Sequence, residues 1–115
     1  MRKIISFMHI SLDGFVAGPK GEMDWIKVDE EIFNYVHTRI IKCDTALYGR
    51  KTYQMMENYW PTAADKPTAT KHDIEHAAWY GRANKLVLSN TLKAAVLNNT
   101  SLISDRLADR INEIK

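Results

Sequence analysis

The residues Gly49-Arg50-Lys51-Thr52 place a glycine, two cations and a hydroxyl directly after the short stretch Thr45-Ala46-Leu47-Tyr48. If that stretch is a strand and a helix begins after the glycine, the first helical turn presents unpaired backbone N–H groups. These amides, the helix dipole and the cationic side chains together suit a phosphate group, and glycine permits its close approach. The alternative is a solvated turn with two surface cations, because neither complete glycine-rich phosphate-binding motif is present.

The segment from Asp13 to Trp25 is a second candidate site. Three glycines and one proline between Ser11 and Trp25 exclude a helix and predict a long loop. Such a loop can close over a ligand as a lid, with Phe15 and Trp25 as its apolar cover. The alternative is a connection without function, in which Trp25 only fills the core.

Acidic residues Asp29, Glu30 and Glu31 follow this loop at the start of a predicted helix. One of these carboxylates could project under the lid, where it would hold a substrate donor or relay a proton. The alternative is that they only balance the positive end of the helix dipole.

Two other motifs predict no site. His72-Asp73-Ile74-Glu75-His76 matches the H-x-x-E-H pattern of zinc peptidases, but catalytic zinc requires a third protein ligand and no such motif follows. We therefore predict a solvated surface and no metal. Cys43 is the single cysteine, which excludes an intrachain disulfide, and its apolar surroundings predict an inert thiol.

Apolar periodicity and breakers divide the chain into alternating strands and helices. This alternation predicts an α/β domain with a mostly parallel central sheet flanked by helices. The predicted strands are 2–10, which we expect to be buried, 45–48, 85–89 and 101–103. The predicted helices are 29–42, 50–57, 72–80 and 105–115. Ser104 would cap the last helix, and residues 61–71 are predicted to form a loop.

The composition is that of one globular domain over residues 1–115, with 45% apolar and 26% charged residues. A net charge of +2 is far below what binding to a phosphate backbone usually requires, so we expect no nucleic-acid partner. No stretch approaches the ~20 apolar residues of a membrane span, and the N-terminal segment lacks a signal-peptide cleavage site. We therefore expect a cytoplasmic protein without a membrane partner.

Several of these segments, in this order, resemble the dihydrofolate-reductase-like superfamily. The resemblance lies in Ile4 to Gly18, which includes Ser11-Leu12-Asp13-Gly14-Phe15-Val16-Ala17-Gly18, and in Met23-Asp24-Trp25, Thr45 to Tyr53 and Lys85 to Ser89. It covers nearly the whole chain. The most similar branch is the bacterial group related to the reductase domain of riboflavin biosynthesis. It implies a three-layer fold and an NADPH-dependent reductase that passes hydride to a C=N or C=C bond of a pterin- or riboflavin-precursor-like heterocycle.

The resemblance also assigns site residues. Gly49, Arg50, Lys51 and Thr52 would hold the 2′-phosphate and pyrophosphate of NADPH, Ser89 and Asn90 would contact its adenosine end, and Ala17 and Gly18 would lie by the nicotinamide. Trp25 and Asp29 would bind the substrate, and Glu30 is the nearest match to the catalytic acid. The three adjacent carboxylates, Asp29 to Glu31, argue against folate itself as the substrate.

Members of the family continue past the end of this sequence with a strand, a Gly-Gly turn and further strands. The chain therefore corresponds to the N-terminal portion of the family domain, and we expect an incomplete sheet. In the family that next strand lies between the first and second strands, so its absence would leave the centre of the sheet open. Either the sequence is a piece of a longer domain, or the first and second strands close up on each other, or a partner chain fills the gap. An open edge favours association, and we expect a homo-oligomer. The alternative function is a non-catalytic remnant that binds nucleotide weakly, or only a protein partner.

Overall fold

The central element of the fold is a parallel sheet. The computed structural model describes residues 2–27, 29–91 and 99–115. Within them, strands β1 (Thr45–Gly49), β2 (Asn84–Leu88) and β3 (Thr100–Ile103) pair in that order, both pairs parallel. The α/β class with a parallel sheet flanked by helices is thus confirmed, in agreement with a dihydrofolate-reductase-like fold.

Over the same described ranges, four helices accompany these strands: α1 (Glu30–Ile40), α2 (Arg50–Ala63), α3 (Lys71–Arg82) and α4 (Leu107–Ile114). The helix starts follow local chemistry. The Asp29 carboxylate caps α1 by accepting from the amide of Ile32, and Thr70 and Asp73 form a reciprocal capping box at α3. The predicted helices over 29–42 and 72–80 are confirmed to within two residues at each end.

The core lies between the sheet and α3. Trp79 and Tyr80 of α3 pack with Ala46 of β1 and with Ala83, and Ile40, Tyr48 and Trp60 pack around this cluster. The indole Nε1 of Trp79 donates to the carbonyl of Cys43 at 2.8 Å, which ties α3 to the segment before β1. Cys43 is a free, half-buried thiol against this core, as predicted.

The prediction of a buried strand over residues 2–10 is wrong. This segment forms no strand, and its large apolar side chains are exposed, Ile5 to 69% and Met8 to 64%. In the described part of the chain, no strand pairs with it or with the outer edge of β1. Only side chains connect the two, because the Arg2 guanidinium contacts the Asp44 carboxylate and the Thr45 hydroxyl. A strand without a neighbour cannot satisfy its backbone groups in a sheet.

Two helix boundaries also differ from the predictions. Helix α2 continues past the predicted end at residue 57 to Ala63. Pro61 in its last turn removes only one N–H donor, and Ala63 is only 1% exposed, so burial stabilises this extra turn. Helix α4 begins at Leu107 rather than at Asp105. Ser104 does not cap it; Arg106 is the N-cap residue, in a left-handed conformation with φ 43°.

Candidate functional site

The carboxyl edge of the sheet brings two of the predicted site segments together. Gly49 ends β1 opposite Leu88, which ends β2, so Arg50 and Ser89 follow from neighbouring strand ends. Carboxyl ends of parallel strands are where ligands of open α/β sheets usually bind. Residues 49–52 and 89–90 therefore lie at one edge, although 36 residues separate Thr52 from Ser89 along the chain.

The start of α2 offers an environment suited to an anion. Gly49 is the N-cap residue and no side chain caps the helix, so the amides of the first turn have no side-chain acceptor. The first turn contains no acidic residue, and a Cβ placed on Gly49 would meet no atom within 4 Å. Arg50 donates to Gln54 Oε1 at 3.3 Å, and Lys51 and Thr52 are exposed. Space, amides and positive charge coincide here, which fits a phosphate group.

Ser89, directly after β2, is held by hydrogen bonds to the end of β3 and to Thr91. Its amide donates to the carbonyl of Ile103 at 3.1 Å, and its hydroxyl accepts from the amide of Thr91 at 3.2 Å. Asn90 is exposed beside it. The turn after β2 therefore has a defined backbone, with an amide side chain free to face solvent at the carboxyl edge.

The loop from Ser11 to Trp25 folds into two hydrogen-bonded turns. In the first, the amide of Gly14 donates to the carbonyl of Ser11, and in the second, the amide of Gly21 donates to that of Gly18. Gly14 and Gly21 have φ angles of 96° and 80°, a backbone conformation that residues with a side chain rarely adopt. The shape of the loop thus requires glycine at positions 14 and 21.

A cavity of about 640 Å³ opens within this loop. Its lining includes three predicted site residues, Ala17, Gly18 and Trp25. Trp25 is 38% exposed, so the alternative that it only fills the core is wrong. The full lining is Ser11, Asp13, Phe15, Ala17, Gly18, Pro19 and Trp25.

The three acidic residues at the start of α1, Asp29 to Glu31, have different surroundings. The Asp29 carboxylate accepts the capping hydrogen bond from Ile32 at 2.9 Å, as the dipole interpretation predicts. Glu30 and Glu31 are exposed in the first helical turn. The Asp29 carboxylate therefore serves as the helix cap, and the Glu30 carboxylate is exposed to a ligand. Glu30 lies five residues after Trp25 in the sequence.

A polar network beneath α2 was not anticipated from the sequence. The Tyr80 hydroxyl donates to the Glu57 carboxylate, and Lys85 Nζ lies 4.3 Å from the centre of the Tyr80 ring and donates to the carbonyl of Ala83. Burial raises the pKa of Tyr80 and lowers that of Lys85, while burial and the charge of Glu57 raise the pKa of Tyr48 to about 12. These contacts join the middle of α2 to the end of α3 and the start of β2, and so hold α2 against the sheet.

The only sequence signal for this network was a lysine in an apolar strand. Successive side chains of a strand point to opposite faces of the sheet, so Lys85 lies on the same face as Val87, opposite to Leu86. Both Lys85 and Val87 are buried. A lysine at such a position needs partners that the fold must supply. Its partner Tyr80 comes from a helix and could not be identified before the helix was placed.

The two histidines of the H-x-x-E-H motif lie on one face of α3, but they face aromatic rings rather than solvent. His72 stacks on Phe33 with ring centres 3.9 Å apart, and His76 lies 4.1 Å from the Trp60 ring. The predicted solvated surface is therefore wrong, because α1 and α2 cover this face. Across the described residues, no group of three or more ligating side chains is arranged to hold a metal ion.

Comparison with known proteins identifies a family that this chain resembles in sequence. The family model of the RibD C-terminal domain matches residues 2–111. An uncharacterized protein of Bacillus subtilis, YyaP, is 32% identical over 117 residues, which cover 99% of this chain and 57% of that protein. The chain thus spans little more than half the length of this relative. No solved structure matches the chain. Among the described residues, no helix has the length and apolar character needed to cross a membrane.

Proposed function

The chain belongs to the RibD C-terminal domain family, the reductase-like domain of riboflavin biosynthesis, and on this basis we propose that it is an NADPH-dependent reductase domain. Its substrate would be a heterocycle of the pterin or riboflavin-precursor type. When bound, NADPH supplies the hydride, and the protein supplies binding, orientation and exclusion of water.

One observation carries the proposal. Residues 49–52 and 89–90, assigned to the cofactor by family resemblance, lie at the same carboxyl edge of the parallel sheet. The uncapped start of α2 has the amides, the open space and the cations that a phosphate group requires. Arg50 and Lys51 would hold the 2′-phosphate, and the Thr52 hydroxyl and the first-turn amides would donate to the phosphate oxygens.

The remaining proposed roles belong to the loop and to α1. Ala17 and Gly18 line the cavity and would lie by the nicotinamide ring, with the Glu22 side chain on the Cβ side of Gly18. Trp25 would cover the substrate and exclude water from it. Asp29 would hold the start of α1 in place beside the substrate, and the exposed Glu30 carboxylate would accept a hydrogen bond from the substrate or relay a proton to it.

A titration with NADPH and NADH, followed by thermal unfolding, tests the cofactor proposal. Ligand at about 100 times its Kd stabilises a protein by roughly 2.7 kcal/mol, which raises the Tm of a chain this size by on the order of 10 °C. We expect this shift with NADPH and a much smaller one with NADH. Equal shifts would contradict the 2′-phosphate site, and no shift with either would favour the non-catalytic remnant.

We also propose a homo-oligomer, because the unpaired segment 2–10 exposes several large apolar side chains. Sedimentation velocity is expected to give twice the chain mass of 13.2 kDa. Phe7→Glu should shift the protein towards monomer, whereas Ile74→Glu, at an exposed position on α3, should not. A monomeric wild-type protein at every concentration would contradict this proposal.

A further inference from the structure

Histidines form the contact between α1 and α3. His72 of α3 stacks on Phe33 of α1 with ring centres 3.9 Å apart and an angle of 10° between the planes. One turn further along α1, His37 Nε2 lies 3.6 Å from Glu75 Oε2 of α3. We call these four residues the histidine contact. Because α1 packs chiefly against α3, this contact holds α1 on the rest of the domain.

A third histidine lies directly behind this contact. The ring of His76 is 5.6 Å from that of His72, and it packs between Trp60 of α2 at 4.1 Å and Trp79 at 5.3 Å. Three imidazoles therefore share one small region among three helices. Any two that carry charge repel each other, more strongly than they would in water.

The surroundings of His72 in the histidine contact suit a neutral imidazole and disfavour an imidazolium. A neutral ring has one N–H donor and one bare nitrogen, whereas the protonated ring has two donors. The Nδ1 atom of His72 is buried and has no hydrogen-bond partner. In the charged ring this atom would carry a proton with no acceptor, which costs free energy in a buried site.

The acidic groups nearby are already engaged. Glu75 faces both His37 and Lys71 of its own helix, and Lys71 Nζ lies 3.8 Å from Glu75 Oε1. Asp73 accepts from the amide of Thr70 in the capping box and from the hydroxyl of Tyr59 on α2. The aromatic faces of Phe33 and Trp60 attract a cation, but a half-buried imidazolium loses hydration there.

The balance favours the neutral rings. Burial lowers the pKa of His72, aided by the charge of His37 and opposed by Asp73 and Glu75. Burial, with the charges of His72 and His37, lowers the pKa of His76 to about 4. A base with a lowered pKa in the folded state stabilises that state at high pH. This stabilisation is complete above about pH 6.5, the ordinary histidine pKa, and is lost as the pH falls towards 4.

We propose that the histidine contact, together with His76 behind it, is an acid-sensitive device, which holds α1 on α3 while His72 and His76 are neutral and releases α1 when they take up protons. The sheet does not depend on this contact, because β1, β2 and β3 pair with one another and are covered by Trp79 and Tyr80. Release of α1 would displace Asp29 and Glu30, which lie at the start of this helix. The inference does not depend on the proposed reductase activity.

Amide hydrogen exchange on the complete chain tests the device. Protection factors, corrected for intrinsic exchange, would be measured at about pH 7.5 and about pH 4.5 for α1 and for β2. We expect α1 to lose at least about 10-fold more protection than β2 at the lower pH. Equal protection of α1 at both pH values, or equal loss in α1 and β2, would overturn the proposal.

Variants separate the histidines from other acid effects. His72→Phe keeps an aromatic ring against Phe33 but cannot be protonated, so the acid-induced loss in α1 should shrink, and His72→Phe with His76→Phe should abolish it. His9→Phe, a histidine of the N-terminal segment, should leave the loss unchanged. Persistence of the full loss in the folded double variant would overturn the proposal. If that variant does not fold, the ring NMR signals of wild-type His72 and His76 decide the matter. They must titrate over the same pH range as the loss of α1 protection, and separate ranges would overturn the proposal.

Discussion

Replacing Arg50 by alanine is expected to weaken NADPH binding by roughly 10- to 100-fold and to leave NADH binding nearly unchanged. A charge-assisted hydrogen bond to a phosphate contributes roughly 1.5–3 kcal/mol, and only NADPH carries the 2′-phosphate. Arg50 is the first residue of α2 and makes one side-chain hydrogen bond, to Gln54 on the same helix. Its loss therefore removes little that the fold depends on.

Isothermal titration of both cofactors against the variant measures the effect. Arg82→Ala is the matched control, since Arg82 ends α3 just before β2 begins, at the opposite edge of the sheet. The Arg82 variant should bind both cofactors as the wild-type protein does. Equal losses of NADPH and NADH in the Arg50 variant would show that this side chain does not contact the 2′-phosphate.

Trp79→Ala is expected to destabilise the domain by about 3–5 kcal/mol, the usual cost of removing a large aromatic side chain from a core. Trp79 is 5% exposed, packs with Ala46 and Tyr80, and donates through Nε1 to the carbonyl of Cys43. The change leaves a cavity and an unpaired carbonyl. Urea unfolding measures the loss, which is a large part of the stability of a small domain.

Trp25→Ala is the matched comparison for this prediction. Trp25 is 38% exposed and lines the loop cavity, so its removal should cost less than about 1 kcal/mol. Its expected effect is on ligand binding rather than on unfolding. If the two tryptophan variants lost equal stability, the loop would have to be part of the core, and the cavity would not be an open site.

The elements between Asp29 and Ile103 could be predicted because their signals are local. The acidic residues from Asp29 to Glu31, the glycine that ends β1 and the apolar run around Val87 each identify a helix start or a strand without knowledge of the fold. The segment 2–10 has an equally strong strand signal, yet a strand also requires a neighbour. Propensity cannot show whether the chain provides one.

The same distinction applies to the candidate site. The approach of Gly49–Thr52 to Ser89 and Asn90 follows from parallel pairing of β1 and β2, which alternation of elements predicts. The network of Glu57, Tyr80 and Lys85 and the stacking of His72 on Phe33 depend on how helices pack. No periodicity along one helix contains that information, and so these contacts could not be predicted.

The outer edge of β1 also affects how the protein can be kept in solution. Natural edge strands commonly carry lysine, proline or a bulge that prevents another chain from adding to them. The five residues of β1, Thr45-Ala46-Leu47-Tyr48-Gly49, include no charge and no proline, and the nearest charges are Asp44 and Arg50 at its two ends. In the described part of the chain, the safeguards are the shortness of the strand and the Arg2 side chain at its first residue, Thr45. High concentration and high salt, which screens those two charges, are the conditions under which disordered, irreversible association would compete with the native fold.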